Sequence, residues 1–243
     1  MERHSYIPKT WELPTSIRKR LGETVGKQRI MDEEGHLLVL LHAPPVAEDD
    51  ERRTAVVFWR NPAGEWKSSP SGGGLSALEA HLSAYRAMIH RMDDEVEQAK
   101  TPRQYFDVMR HMHPMQRATR SMLDVLQAAR ELRPEESRLI SFRDQASDLE
   151  RAIELVAADA RAGMDYSLAE SASIQANAAY ESNREAQRLN RLAAFFFPLV
   201  TLVTVFGMNE PQKLMKEQGF WVVLAAGMFL GLLVFSSVAL RKK

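Results

Sequence analysis

The residues best suited to chemistry form a stripe near the C-terminal end of the chain. Their spacings of 7, 4, 3, 4, 3 and 4 place them on one face of a helix. The members are Asn183, Asn190, Ala194, Phe197, Thr201, Thr204 and Met208. Uncharged polar side chains on such a face either hold neighbouring helices together or line a water-filled path. The stripe alone leaves both interpretations open.

Two uncharged runs, residues 192–208 and 220–240, surround a short polar loop at residues 209–219. The first run has 17 residues and leads into Gly207-Met208-Asn209, and the second has 21. Because roughly 17–25 apolar residues cross a bilayer as a helix, the sequence predicts two transmembrane helices joined by an outer loop.

Basic residues set the predicted orientation. Arg184, Arg188 and Arg191 precede the first run, and three basic residues at 241–243 follow the second, whereas the loop has two Lys balanced by two Glu. By the positive-inside rule both flanks lie in the cytoplasm. The sequence therefore predicts a multi-pass protein of the cell (inner) membrane, in contact with the lipid bilayer, with both termini cytoplasmic.

Composition excludes several other functions. Thirty-two basic residues balance 32 acidic ones, so nothing indicates a nucleic-acid partner. With no cysteine, the chain has no disulfide and no thiolate metal site. His111 and His113 are one residue apart on a predicted helix and point in different directions, so they form a poor chelate. No nucleophile with a recognisable base appears, so we expect neither an enzyme nor a covalently bound cofactor.

Residues 1–74 predict a small α+β cytoplasmic domain with a reduced sheet. Short apolar runs at His36–His42 and at 54–60 predict strands, and turn-forming residues flank both. Residues 68–74 contain three consecutive glycines and predict a hinge. They lack the Lys-Ser/Thr pair of a phosphate-binding loop.

Residues 75–133 predict two antiparallel helices, the second opened by Thr101-Pro102 as N-cap and first turn. Residues 134–191 predict one long stalk helix that continues into the first uncharged run. Its apolar residues alternate at spacings of three and four, as in a heptad pattern: Leu139, Phe142, Ala146, Leu149, Ile153, Val156, Ala160 and Gly163. Such a stripe needs partners, either the two preceding helices or other copies of the stalk.

The placement of Gly207-Met208-Asn209 between the two uncharged runs resembles that in the CorA family of divalent-cation channels. Three further segments resemble the same family: Phe196-Phe197-Pro198-Leu199 before the motif, Ser182-Asn183 at the end of the stalk, and Phe142-Arg143-Asp144 near its start. The resemblance is strong over roughly residues 134–243.

The resemblance implies a funnel-shaped homopentamer in which five copies of the first transmembrane helix line a pore. Gly207, Met208 and Asn209 would form the selectivity filter at the outer mouth, where Asn209 carbonyl oxygens meet a hydrated ion. Mg²⁺ releases its water reluctantly, so neutral oxygens that contact the hydration shell can select it. Mg²⁺ is the expected substrate, with Co²⁺, Ni²⁺ or Zn²⁺ as other candidates. The pore-lining residues would be Asn183, Asn190, Phe197, Thr201 and Thr204.

In the family, the aspartate of Phe-Arg-Asp belongs to a cytoplasmic divalent-sensing site, so the resemblance implies that Mg²⁺ or another divalent cation also regulates through Asp144. A solvated stalk carboxylate is the alternative. Three positions depart from the family: Phe206 replaces a tyrosine, Glu210 replaces an aromatic residue and adds charge to the outer loop, and Val200 replaces a pore-facing threonine.

Other functions stay open on the sequence. A zinc transporter of the ZntB kind shares the motif. A non-transporting, membrane-anchored scaffold or regulatory oligomer could retain the same architecture. A path for anions or monovalent cations is a third possibility, because only the motif calls for a divalent ion.

Overall fold

The computed structural model of the chain describes residues 6–45, 54–208 and 217–240. The chain divides into two compact units, Met1–Ala169 and Glu170–Lys243. The elements, in chain order, are α1 Thr15–Arg20, β1 Arg29–Glu33, β2 His36–His42, β3 Ala55–Arg60, β4 Trp66–Ser69, α2 Leu75–Gln98, α3 Pro102–Leu132, α4 Ser137–Met208 and α5 Glu217–Leu240.

The four strands form an antiparallel sheet in the order β1-β2-β3-β4. The central strand β2 has the predicted bounds, and all of its interior residues are buried. Alternate side chains of a strand point to opposite faces. Leu37, Val39 and Leu41 therefore join the core formed with α2, α3 and α4. Leu38 and Leu40 pack on the other face, which the N-terminal segment covers.

The first part of α4 packs as the heptad pattern predicts. Seven residues of that pattern are buried: Leu139, Phe142, Ala146, Leu149, Ile153, Val156 and Ala160. They share one hydrophobic core with α2 and α3. At Gly163 a Cβ atom would lie 2.5 Å from the ring of Tyr105 on α3, so this glycine permits a close approach. The two preceding helices are thus the partners of this part of the stripe.

The predicted N-terminus of α3 is also confirmed. Thr101 caps the helix and forms a capping box with Gln104, and Pro102 occupies the first turn. The Thr101 hydroxyl accepts from the Gln104 backbone N–H at 3.3 Å, and the Gln104 side-chain oxygen accepts from the Thr101 N–H at 3.1 Å. These bonds satisfy N–H groups that lack a partner within the helix.

The turn between α3 and α4 is attached to the sheet by three side-chain contacts. Arg133 forms a hydrogen-bonded ion pair with Asp32 of β1. Glu135 lies 3.5 Å from Arg60 of β3. The Trp66 indole N–H of β4 donates to Glu136 at 2.6 Å. The sheet therefore determines where α4 begins.

In the second unit, α4 packs closely against two glycines of α5. A Cβ atom at Gly231 would lie 2.6 Å from the backbone oxygen of Phe195, and one at Gly227 would lie 2.7 Å from Cδ1 of Leu199. Small residues allow two helices to approach this closely. By contrast, every residue of α4 from 172 to 191 is exposed.

The prediction of two transmembrane helices is wrong for the residues that the structure describes. Across residues 6–45, 54–208 and 217–240, no helix combines the length and the apolar character that crossing a membrane requires. The run at 192–208 rises only about 26 Å at 1.5 Å per residue, short of a hydrocarbon core of about 30 Å. The fold class with membrane-spanning helices and the multi-pass inner-membrane location are both corrected by this finding.

Candidate functional site

The predicted stripe lies on an exposed face of α4. Asn183, Asn190, Phe197, Thr201 and Thr204 are all exposed, and Phe197 reaches 73%. The residues of α4 that contact the glycines of α5 are Phe195, Leu199 and Leu202. At 100° per residue they lie on the side of the helix opposite Phe197, Thr201 and Thr204. The stripe is therefore the face that α5 leaves uncovered.

The two threonines bond to their own helix. The Thr201 hydroxyl donates to the Phe197 carbonyl at 2.8 Å, and the Thr204 hydroxyl donates to the Val200 carbonyl at 2.7 Å. A hydroxyl has one donor and two acceptor lone pairs. With the donor engaged, each oxygen presents only acceptor capacity to its surroundings, which suits a cation or its hydration water.

Val200 stands where the resembled family has threonine, and it is 58% exposed. It lies one residue, or about 100°, away from Thr201 around the helix. Thr201 shares the stripe with Phe197 and Thr204, whereas Val200 lies at its side. Thr201 is therefore the polar residue on this face, and its place in a pore stays a prediction.

The motif lies at the end of α4. Gly207 and Met208 are the last two residues of this helix. Asn209 and Glu210 lie outside the described residues, as does most of the loop at 209–219. The selectivity filter and the charge of the outer loop therefore stay predictions.

A cavity of about 570 Å³ lies beside the stripe, lined by Tyr180, Asn183, Arg184, Gln187, Arg188 and Arg191. Among the described residues, none of its three arginines forms an ion pair. From the sequence these arginines indicated only the orientation of the chain. Their spacing of four and three places them on one side of the helix and could have indicated the shared cavity. Arg184 and Arg191 lie about 100° around the helix from Asn183 and Asn190 respectively, so their charge flanks the stripe.

Asp144 is exposed on α4, and its carboxylate lies 3.0 Å from the Arg143 guanidinium. Within the described part of the chain, no group of three or more His, Asp or Glu side chains could hold a metal ion. His111 and His113 belong to no such group either. The surroundings match a solvated stalk carboxylate, and the sensing role of Asp144 stays a prediction.

Comparison with solved structures identifies the fold. The structure of the full-length CmaX protein matches 95% of this chain and 83% of its own, with a TM-score of 0.58 and 12% sequence identity. The CorA magnesium transporter from Methanocaldococcus jannaschii matches 95% of this chain and 84% of its own, with a TM-score of 0.44 and 14% identity. No protein-family model and no curated protein matches the sequence. The chain shares its fold with the full-length CmaX protein, and an identity of 12% defines the fold alone.

Proposed function

We propose that the protein transports divalent cations, with Mg²⁺ as the preferred ion. The observation that carries this proposal is the uncovered face of α4, where Thr201 and Thr204 both present acceptor oxygens. The resemblance of the sequence to the CorA family supports the same function. The proposal uses the exposed face of the run at 192–208, but not its assignment as a membrane span, which is wrong for the described residues.

The ion path requires several copies of the chain, because one helix face cannot enclose an ion. We propose a homopentamer in which the stripes of all copies face one axis. A hydrated ion docks at Asn209, then passes Thr204 and Thr201. It crosses a constriction formed by Phe197, where an apolar ring can gate by excluding water. It continues past Asn190 and Asn183.

Neutral oxygens suit this path. Mg²⁺ keeps several of its waters, and hydroxyl and amide oxygens can accept hydrogen bonds from those waters without stripping them. The Met208 thioether is a poor ligand for a hard cation, so its expected role is packing. In the same proposal, binding of Mg²⁺ near Asp144 biases the path toward a closed state.

The test is ion flux into vesicles reconstituted with the purified full-length chain, with protein-free vesicles as the control. We expect Mg²⁺ entry well above the control rate, and competition from Co²⁺ and Ni²⁺. A clear preference for Zn²⁺ would instead assign a transporter of the ZntB kind. Reversal potentials that follow chloride or potassium would assign a different path.

The second candidate is a non-transporting scaffold or regulatory oligomer. The exposed face of α4 at residues 172–191 favours it, because such a face can bind partners without conducting ions. Absence of flux for all four divalent ions, from a protein that still assembles, would select this candidate.

A further inference from the structure

The exposed face of α3 is strongly basic. It lies opposite the buried face of the same helix, which includes Val108, Met112 and Met115. We call it the basic face, and it comprises Arg103, Phe106, Arg110, His113, Arg117 and Arg120, all exposed. Arg103 lies 4.0 Å from Asp107, and Arg120 lies 3.8 Å from Glu150. Arg110 and Arg117 have no ion pair among the described residues.

The end of α2 carries the opposite charge. We call Asp93, Asp94 and Glu97 the acidic patch. Asp94 and Glu97 are exposed, and Asp93 is half-buried. Within the described part of the chain, none of the three forms an ion pair. The same unit thus presents a basic face on which Arg110 and Arg117 have no ion pair among the described residues, and an acidic patch without one.

Both surfaces lie near one end of the α2–α3 pair. Only three residues connect α2 to α3, so the two helices run antiparallel. At a rise of 1.5 Å per residue from the turn, the acidic patch lies at a height along the helix axes between those of Arg103 and Arg110. Arg120 lies roughly 20 Å beyond that level. If copies of the chain are arranged around an axis parallel to these helices, residues at the same height along that axis meet in neighbouring copies.

We infer that neighbouring copies of this chain dock side by side, the basic face of one around Arg110 contacting the acidic patch of the next around Asp94. The contact joins two different surfaces, and repeated contacts of this kind close into a ring when the rotation allows. Charge complementarity would set its register. A second copy is the favoured occupant because the whole chain has zero net charge and supplies both surfaces itself. The inference rests on the self-association proposed above.

The first test is the mass of the full-length chain in solution, measured by sedimentation at several concentrations. Arg110→Glu and Asp94→Arg should each weaken association by about tenfold or more, because each brings like charges together. The variant that carries both substitutions should recover association to within roughly threefold of the parent chain. Arg151→Glu is the matched control, because Arg151 is an exposed arginine of α4 outside the basic face with no ion pair among the described residues, and it should leave the mass unchanged.

A cysteine trap provides the second test, because the chain has no cysteine of its own. Mixing the Arg110→Cys chain with the Asp94→Cys chain should give a disulfide-linked heterodimer under mild oxidation. Mixing an Arg151→Cys chain with the Asp94→Cys chain should give no such heterodimer. Circular dichroism before oxidation confirms that each variant is folded.

A monomeric parent chain, an assembly unaffected by either charge reversal, or a double variant that fails to recover would overturn the inference. Binding of a labelled RNA that Arg110→Glu abolishes, with no change of mass, would assign the basic face to a polyanion instead. Loss of flux with the assembly intact would contradict only the proposed function. Flux that persists in an assembly insensitive to both reversals would contradict only this interface.

Discussion

Two stretches of the same helix behave in opposite ways. In the packed stretch of α4, residues 139–160, seven heptad side chains are buried against α2 and α3. In the open stretch, residues 172–191, every side chain is exposed. Both stretches are continuous α-helix. The difference lies in what each stretch has to pack against within one chain.

The comparison separates stability from function along α4. The packed stretch uses large apolar side chains, and its position follows from the core and from the turn attached to the sheet. The open stretch is rich in alanine, asparagine and arginine, which can form a helix but bury little apolar surface. The predicted site residues Asn183 and Asn190 lie in this stretch. We therefore expect substitutions in the packed stretch to affect folding, and substitutions on the stripe to affect assembly and transport.

The largest expected effect is that of Phe142→Ala in the packed stretch. The Phe142 side chain is 1% exposed, so its truncation leaves a cavity and should lower the free energy of unfolding by about 4 kcal/mol. Urea denaturation measures this loss. Tyr180→Ala in the open stretch is the control, because Tyr180 is 71% exposed, and it should change the free energy by less than about 0.5 kcal/mol. Equal losses of unfolding free energy in the two variants would show that the packed and open stretches contribute equally to stability.

Acid should destabilise the core beside the packed stretch. His81 on α2 is buried between the rings of Phe58 and Tyr85, with centroid distances of 6.1 and 5.3 Å. Burial, and to a smaller extent nearby His42, lowers the pKa of His81 from 6.5 to about 4. The folded state therefore binds fewer protons than the unfolded state between these values. Stability should fall by up to about 3 kcal/mol as the pH drops from 6.5 to 4.

The check is a series of urea melts of the parent chain and of His81→Phe across this pH range. The variant should lose most of the pH dependence, because no titrating group replaces the histidine. It should be no less stable at neutral pH, since the His81 Nε2 atom is buried without a hydrogen-bond partner. A pH dependence that persists unchanged in the variant would assign the titration to another group.

A smaller effect is expected where α4 meets α5. Gly231→Ala would place a Cβ atom 2.6 Å from the Phe195 carbonyl oxygen, so backbone must shift, at a cost of about 2 kcal/mol. Gly227→Ala should cost less, because its nearest atom is the flexible end of Leu199. Thermal unfolding of the two variants tests this order. The reverse order would mean that the helices pack differently.

The smallest effect on folding should be that of Thr201→Val. The exposed hydroxyl donates its hydrogen bond to its own helix, so the free energy of unfolding should change by less than about 0.5 kcal/mol. Transport should nevertheless slow, because the acceptor oxygen on the stripe is lost. Equal transport by the parent and the variant would remove Thr201 from the ion path.

Local patterns predicted much of this fold. The bounds of β2, the Thr101 cap and the buried heptad side chains all follow from short-range rules of strand patterning, capping and helical periodicity. The structure also has the small sheet, the helices and the long helix that the sequence predicted.

Long-range contacts could not be read in this way. Nothing in the spacing of Asp32 and Arg133, 101 positions apart, indicates that they pair. The N-terminal segment that covers the second face of the sheet has no periodic pattern. The transmembrane assignment was wrong because the absence of charge in a run describes its composition alone. The run at 192–208 was also near the minimum length for a membrane span. The candidate site is predicted in part: the stripe forms one exposed face, while Asn209 lies outside the described residues.

The measurement that tests the central claim most directly is the initial rate of Mg²⁺ entry into vesicles that contain equal amounts of the parent chain, Asn209→Ala or Asn177→Ala. Asn177 is an exposed asparagine of the open stretch, about 120° around the helix from Asn183, and so provides a matched control. Transport through the motif predicts a rate at least about tenfold lower for Asn209→Ala and unchanged for Asn177→Ala, since only the first contacts the ion. Equal rates for all three chains would contradict the account.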